Sequence, residues 1–337
     1  MIGARAYGHA AQKVPALQPL VSRDLLSVRD FSPEEIKAIF QLTNSVKKRP
    51  ADFRDALSGK QIVLFFEKAS LRTRLTFEAS IASLGGTSFF VDQTQARLDE
   101  REPLCDVAHN VERWVQGIVL RTYEHQTIVE LAHHASIPVI NALSDVEHPC
   151  QALADFFTLQ EKFTDLRQVR VAYVGDGNNV AHSLMLAAAS VGSKLTIACP
   201  SGYAPDREIT AAAKAIASET GAQIEIVRDP NEAVIGADAV YTDVWTSMGQ
   251  ENEAAERRKA FSPYQVNEAL MALAAPHAIF MHCLPAHRGE EVAANVIDSP
   301  CSVVFDQAEN RMHVQKAILL SLLGSGPRRY PSRSNHA

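Results

Sequence analysis

The stretch IVLFFEKASLRTRLTFEASIASLGGTSFFV, residues 62–91, decides the architecture. Ile62, Val63, Leu64, Phe65 and Phe66 make an unbroken apolar run, the pattern of a strand covered on both faces. Ser70 then offers a helix cap, Leu75, Ile81 and Leu84 mark an apolar helical side, and Gly85-Gly86 ends the helix. Thr87 opens a second strand-like run that reaches Val91. Strand, helix and strand in succession form a βαβ unit, and such units build parallel sheets.

The alternation continues outward in both directions. In the first half the pattern predicts strands at 62–66, 87–91, 117–121 and 137–141, with helices at 33–47, 70–84, 104–115 and 126–135. In the second half it predicts strands at 169–174, 194–198, 223–227, 239–244, 278–282 and 303–305. Helices are expected there at 180–191, 205–219, 263–274 and 307–323, and a linking helix at 149–163 separates the two series. A chain of 337 residues with 46% hydrophobic content can fill two cores, so two α/β domains meeting at a cleft are expected.

Composition narrows the function classes. Lys and Arg number 33 against 39 Asp and Glu, a formal net charge of −6. That balance argues against a general binder of nucleic acid or of an anionic membrane, so an anionic ligand must be gripped by a few placed Arg and His residues. No apolar run approaches the roughly 18 residues of a membrane span. Cys105, Cys150, Cys199, Cys283 and Cys301 are odd in number and form no C-x-x-C, which favours a reducing, cytoplasmic setting over a disulfide framework or zinc ribbon. Residues 1–23 are basic and acid-poor, and read either as a loosely ordered extension or as an organelle transit segment.

Ligands of parallel sheets gather beyond the carboxyl ends of the strands, so the strand-to-helix turns should carry the chemistry. Ser70-Leu71-Arg72-Thr73-Arg74 places two hydroxyls and a guanidinium at a helix start, an arrangement suited to a phosphate. Arg121 ends the third strand, at the cleft mouth. His148-Pro149-Cys150-Gln151 sets an imidazole and a carboxamide at another helix start, since Pro favours the first helical position. Gly175 and Gly177 suggest a dinucleotide turn, but Val180 stands where its third glycine belongs and Ala198-Cys199-Pro200 lacks the ribose-binding acid. Asn178 and Asn179 suit an amino-acid zwitterion instead, and Asp243 can hold an ammonium. Arg311 is expected in the first turn of the last helix. His125, His133, His134 and His148 lack metal-ligand spacing, so no metal is expected.

Four of these pieces resemble the motifs of the carbamoyltransferase family, over a match from about Leu25 to Leu323: Ser70-Leu71-Arg72-Thr73-Arg74, His148-Pro149-Cys150-Gln151, Asp243-Val244-Trp245-Thr246-Ser247-Met248-Gly249 and His282-Cys283-Leu284-Pro285. The last two resemble its ornithine branch, because a relative using aspartate needs cations where Asp243 stands. The resemblance implies an α/β fold of two doubly wound parallel-sheet domains joined by two interdomain helices. It implies a carbamoyl-phosphate domain of residues 25–147 plus 307–325 and an ornithine domain of 148–306, with 1–24 a poorly ordered extension and 326–337 a frayed tail. It also implies a homotrimer, a cis Leu284-Pro285 bond and no cofactor.

By the same resemblance, Ser70, Leu71, Arg72, Thr73, Gln95, Arg121, His148, Gln151, Cys283, Leu284 and Arg311 would hold carbamoyl phosphate. Asn179, Asp243, Ser247 and Met248 would hold ornithine. The implied reaction is attack of ornithine's δ-amine on the carbamoyl carbon, giving citrulline and phosphate in arginine metabolism. Arg121, His148 and Gln151 would polarise the carbonyl, and Asp243 and Cys283 would orient the amine and take its proton, unless phosphate takes it. The chain departs from the family at Leu71, where many relatives have Thr, and at 91–101, where Gln93 competes with Gln95 for the neighbouring subunit's site. The rival readings are a carbamoyltransferase for putrescine or acetylornithine, a nicotinamide dehydrogenase, and a silent homologue.

Overall fold

The computed structural model of the chain describes residues 20–94, 97–247 and 251–324. Strands β1 (Gln61–Phe66), β2 (Thr87–Asp92), β3 (Gly117–Arg121) and β4 (Val139–Leu143) form one sheet in the order β2-β1-β3-β4. A second sheet joins β5 (Arg170–Val174), β6 (Lys194–Ala198), β7 (Gln223–Val227), β8 (Ala239–Thr242) and β9 (Ile279–His282) in the order β7-β6-β5-β8-β9. Every strand pairing in both sheets is parallel. β3 is buried along its whole length, which is why its sequence does not alternate.

Helices α1 (Pro33–Lys48), α2 (Leu71–Ser83), α3 (Leu104–Val111) and α4 (His125–His134) accompany the first sheet. α5 (Pro149–Lys162) leads to the second, which carries α6 (Asn179–Val191), α7 (Arg207–Thr220), α8 (Pro230–Val234), α9 (Ala254–Phe261), α10 (Glu268–Met271) and α11 (Ala294–Ile297). The last helix, α12 (Val304–Leu323), returns to pack on α5, α1 and α2. One apolar core runs without interruption from Ile36 and Phe77 through Phe156 of α5 to Tyr173, Met281 and Leu319. A continuous core of this kind fixes the two sheets relative to each other, and with them the two walls of the cleft.

Several expectations are corrected. Residues 303–305 are not a strand. Only an isolated bridge joins Ser302 to Phe280, and α12 begins at Val304, so Arg311 lies well inside that helix rather than in its first turn. The helix expected at 263–274 is a short 3-10 turn, Ser262–Tyr264, followed by α10 with Asn267 as its cap. β4 lies two residues later than expected, since Pro138 has no N–H to give to a ladder. Residues 1–19 and 325–337 lie outside the described residues. Arg23 and Asp24, expected in a loose extension, are anchored: Arg23 donates to the carbonyls of Ala132 and Ala135 at 2.6 Å, and Asp24 accepts the Val139 N–H at 2.8 Å. Among the described residues, no helix is long and apolar enough to cross a membrane.

Candidate active site

Strand order reverses direction twice, between β1 and β3 in the first sheet and between β5 and β8 in the second. At such switch points the turns diverge and leave a crevice beyond the carboxyl ends of the strands. The turn after β1 carries Ser70, Leu71, Arg72 and Thr73, and β3 ends at Arg121. The turn after β5 carries Asp176, Gly177 and Asn178, and Asp243 follows β8. Both crevices open into one cleft of about 1020 Å³. Arg72, Arg121, His148 and Arg311 all line it, together with Gln151, Asn179, Asp243, Ser247, Cys283 and Leu284. Gln95 and Met248 lie outside the described residues.

The wall at α2 is a cationic helix start. Ser70 caps α2 by accepting the Thr73 N–H at 3.3 Å, leaving its own hydroxyl hydrogen available. Leu71 is 70% exposed, so its part at this position is played by backbone N–H and not by side chain. Arg311 Nη2 donates to Thr73 Oγ1 at 2.7 Å. Burial, then Arg311 and Arg72 nearby, pull Arg121 down to about 10, and it remains charged at neutral pH. Packing several guanidinium groups into one dry pocket is unfavourable unless a multivalent anion joins them. Lys68, over the Tyr123 ring at 4.5 Å, adds a rim cation that the motifs did not single out.

His148 and Gln151 form the floor. Burial, followed by Arg311 and Arg121, holds the His148 imidazole well below its ordinary value, so it is neutral and offers one N–H. Its backbone N–H is fixed by Ser183 Oγ at 2.8 Å. The expected donor role of Gln151 is corrected: its Nε2 donates to Asp155 Oδ1 at 2.7 Å. That leaves Oε1 as an acceptor, matched to a ligand –NH2 and not to a carbonyl oxygen. Arg121 Nε, His148 Nδ1, Gln151 Oε1 and Arg311 Nε are all buried without a protein partner. Orphaned groups of this kind cost about 1–3 kcal/mol each and are tolerated where a ligand completes them.

The opposite wall suits an amine. Asp243 Oδ1 accepts the Val244 N–H at 2.8 Å and the Cys283 thiol at 3.0 Å, while Oδ2 accepts Asn178 Nδ2 at 3.0 Å. Cys283 is thereby corrected as a proton acceptor. Burial and the adjacent Asp243 carboxylate push its thiol well above the ordinary value, so it is a protonated donor. Asn178 is also committed, capping α6 through Val180 and Ala181, whereas Asn179 reaches across to the Ser144 carbonyl at 2.6 Å. Arg257 is buried, pairs with Asp176 and donates to the Trp245 carbonyl at 2.6 Å, which anchors the segment carrying Ser247. Burial lifts Asp176 to about 6 despite that partner.

Asp243, His282 and Cys283 bring ligand atoms within 4.8 Å of one another, as do His287, Glu290 and Glu291. Histidine spacing gave no hint of either group. In the first, His282 Nδ1 accepts the Leu284 N–H at 2.8 Å and Nε2 faces Glu291 at 3.2 Å, so both ring nitrogens already have protein partners. The Leu284-Pro285 bond is cis, as expected. Gly177 is explained by packing: a Cβ there would sit 2.2 Å from the Pro205 nitrogen.

A family model described as aspartate/ornithine carbamoyltransferase, carbamoyl-P binding domain, matches residues 23–161, and its Asp/Orn binding domain partner matches 167–322. The chain belongs to the aspartate/ornithine carbamoyltransferase family. Within the family it is 52% identical over 306 residues to the ornithine carbamoyltransferase of Symbiobacterium thermophilum, covering 90% of this chain and 99% of that one. The anabolic ornithine carbamoyltransferase of Pyrococcus furiosus is 48% identical over 307 residues, covering 90% and 98%. The solved ornithine carbamoyltransferase structure from Pyrococcus furiosus superposes with a TM-score of 0.87 at 48% identity, over 90% of this chain and 98% of the other. That from Campylobacter jejuni gives 0.85 at 38% identity, over 89% and 99%. Asp155, Gln307 and Glu291, which hold the site's polar groups, were missed from sequence. The signal for Asp155 was a carboxylate one turn beyond Gln151 on a helix otherwise buried.

Proposed function

We propose that the enzyme transfers the carbamoyl group of carbamoyl phosphate to the δ-amine of L-ornithine, giving L-citrulline and phosphate. The observation that carries this is the pairing, in one cleft, of buried guanidinium groups at a helix start with a carboxylate–thiol pair opposite. Ser70, the Leu71 N–H, Arg72, Thr73 and Arg311 grip the phosphate, with Gln95 reaching a neighbouring subunit's site. Arg121 and neutral His148 donate to the carbamoyl oxygen and stabilise the oxyanion as it forms. Gln151 Oε1 and the Cys283-Leu284 backbone hold the carbamoyl –NH2. Asn179, Asp243, Ser247 and Met248 hold ornithine.

The amine has an ordinary pKa of roughly 10 and reacts as the neutral –NH2, its first proton released to solvent. Asp243, steadied by Cys283 and Asn178, orients it. The nitrogen attacks the carbamoyl carbon, the C–O bond to phosphate breaks, and the amine proton passes to the departing phosphate.

The remaining attributes follow from the same reading. The anabolic Pyrococcus furiosus relative supports a direction toward arginine synthesis. A homotrimer is in keeping with exposed Leu75, Phe89 and Trp114 around the first sheet, and a cytoplasmic setting with the free cysteines. Residues 25–147 with 307–325 are read as the carbamoyl-phosphate domain and 148–306 as the ornithine domain; α12 packing on α1 and α2 favours this division, while its packing on α5 and the family matches to 23–161 and 167–322 favour a divide between 161 and 167. The test is citrulline or analogous product formation with ornithine, aspartate, putrescine and acetylornithine side by side. Preference for ornithine supports the proposal; preference for another amine contradicts it.

A further inference from the structure

Beneath the cleft floor stands a carboxylate that the steps above do not use. Asp155 is 0% exposed, one turn beyond Gln151 on α5. Gln151 Nε2 and Gln307 Nε2 each reach its Oδ1 at 2.7 Å, and Tyr241 Oη reaches its Oδ2 at 3.1 Å. These donors come from α5, α12 and β8, so the linking helix, the returning helix and the second sheet meet on one side chain. Asp155 Oδ1 accepts from both amides, which turn their NH2 groups toward it. Each is left with an oxygen to present elsewhere. Gln307 Oε1 accepts the backbone N–H of His282 at 3.0 Å, directly before Cys283. Gln151 Oε1 is buried without a protein partner on a residue lining the cleft.

We infer that Asp155 is a positioning residue: by binding the Gln151 NH2 it commits Gln151 Oε1 to accept from the carbamoyl –NH2, and through Gln307 it sets the His282–Leu284 segment on the same group. This rests on the reading of the cleft as a carbamoyl-phosphate site. A residue of packing alone would be apolar here, since burial is costly enough to push Asp155 up to about 7 despite its donors.

The experiment compares two ligands on the full-length enzyme. Acetyl phosphate carries a methyl group where carbamoyl phosphate carries –NH2, so it uses the phosphate contacts but gives Gln151 nothing. Asp155→Leu is of similar volume and removes both acceptor oxygens, so nothing holds the two amide NH2 groups inward. For this variant the expected result is a fall in kcat/KM for carbamoyl phosphate of roughly ten- to hundredfold, with the inhibition constant of acetyl phosphate changed by less than about twofold. A parallel change in both overturns the proposal, because a merely structural role weakens both ligands; no change in either also overturns it. Should Asp155→Leu fail to fold, Tyr241→Phe strips one donor from the same carboxylate and should lower the same ratio by roughly two- to fivefold. An unaltered ratio there overturns the inference. A wild-type chain that forms no citrulline defeats the functional reading itself, whereas an active wild type with insensitive variants defeats only the role of Asp155.

Discussion

Arg311 Nη2 donates to Thr73 Oγ1 at 2.7 Å, tying α12 to the first turn of α2 across a separation of 238 residues. The bond aims a guanidinium from the end of the chain at a helix start near its beginning. Because Arg72 and Arg121 also line that spot, this cluster of guanidinium groups is assembled only by the fold.

Arg72→Ala should abolish useful turnover while leaving the fold intact. Arg72 is half-buried at the rim of the cleft, and removing one such donor typically lowers turnover by about 10²–10³. Steady-state kinetics beside a thermal melt will check this. Unchanged kinetics would remove Arg72 from the site.

Arg311→Lys keeps the charge but loses the planar fork. The bond to Thr73 and the buried Nε both depend on guanidinium geometry. Turnover should fall at least about tenfold, and phosphate should protect the variant from thermal unfolding less well than it protects the wild type. Equal protection would show that charge alone suffices.

Cys283 should behave as a thiol and not as a nucleophile. Since burial and Asp243 push it well above its ordinary value, alkylation should be slow near pH 8 and keep climbing beyond pH 9. Peptide mapping by mass spectrometry follows this site separately from the other cysteines. Cys283→Ser, which retains a donor to Asp243, should reduce turnover less than Asp243→Asn does; the reverse order would make sulfur chemistry essential.

His148 predicts a pH dependence of stability. Its folded imidazole is held well below 6.5, whereas the unfolded chain regains about 6.5. Below that pH the unfolded state takes up a proton that the folded state refuses, so this stability is present above about 6.5 and is lost as pH falls. Asp155 and Asp176, lifted to about 7 and about 6, act with the opposite sign but are common to both proteins compared. Between about pH 7.5 and 5.5 the wild-type Tm should therefore fall more than that of His148→Gln. Equal falls would mean His148 titrates normally.

The parallel-sheet pattern was readable because its strands are short apolar runs between strong punctuation. β3, β6 and β7 begin and end where sequence puts them, at Gly117–Arg121, Lys194–Ala198 and Gln223–Val227. The run Val303-Val304-Phe305 misled because three β-branched or aromatic residues suit a strand or a helix start equally, and packing on α5 decided it. That choice displaced Arg311 from a first turn to a helix interior, although the motif around it still marked it for the cleft. α9 was invisible, being charged along Glu256-Arg257-Arg258-Lys259 and lacking a side-chain cap.

The contacts of the site were less legible than its members. Motif order brought Ser70 through Thr73, Arg121, His148, Gln151, Asp243 and Cys283 together. It gave no orientation for the Gln151 amide, which Asp155 determines, and no proton for Cys283, which Asp243 determines. Both are consequences of burial and of partners distant in sequence. Gly177 is the reverse case: a local motif suggested a cofactor turn, and the Pro205 backbone supplies the reason for the glycine.

The most direct measurement follows the fate of the carbonyl carbon. With carbamoyl phosphate labelled at carbon with ¹³C, enzyme and ornithine should move the label into the ureido carbon of citrulline, as seen by NMR, and Arg72→Ala should not. Label that appears in carbamoyl aspartate when aspartate competes, or that leaves carbamoyl phosphate only as bicarbonate while ornithine stays unmodified, would contradict the account.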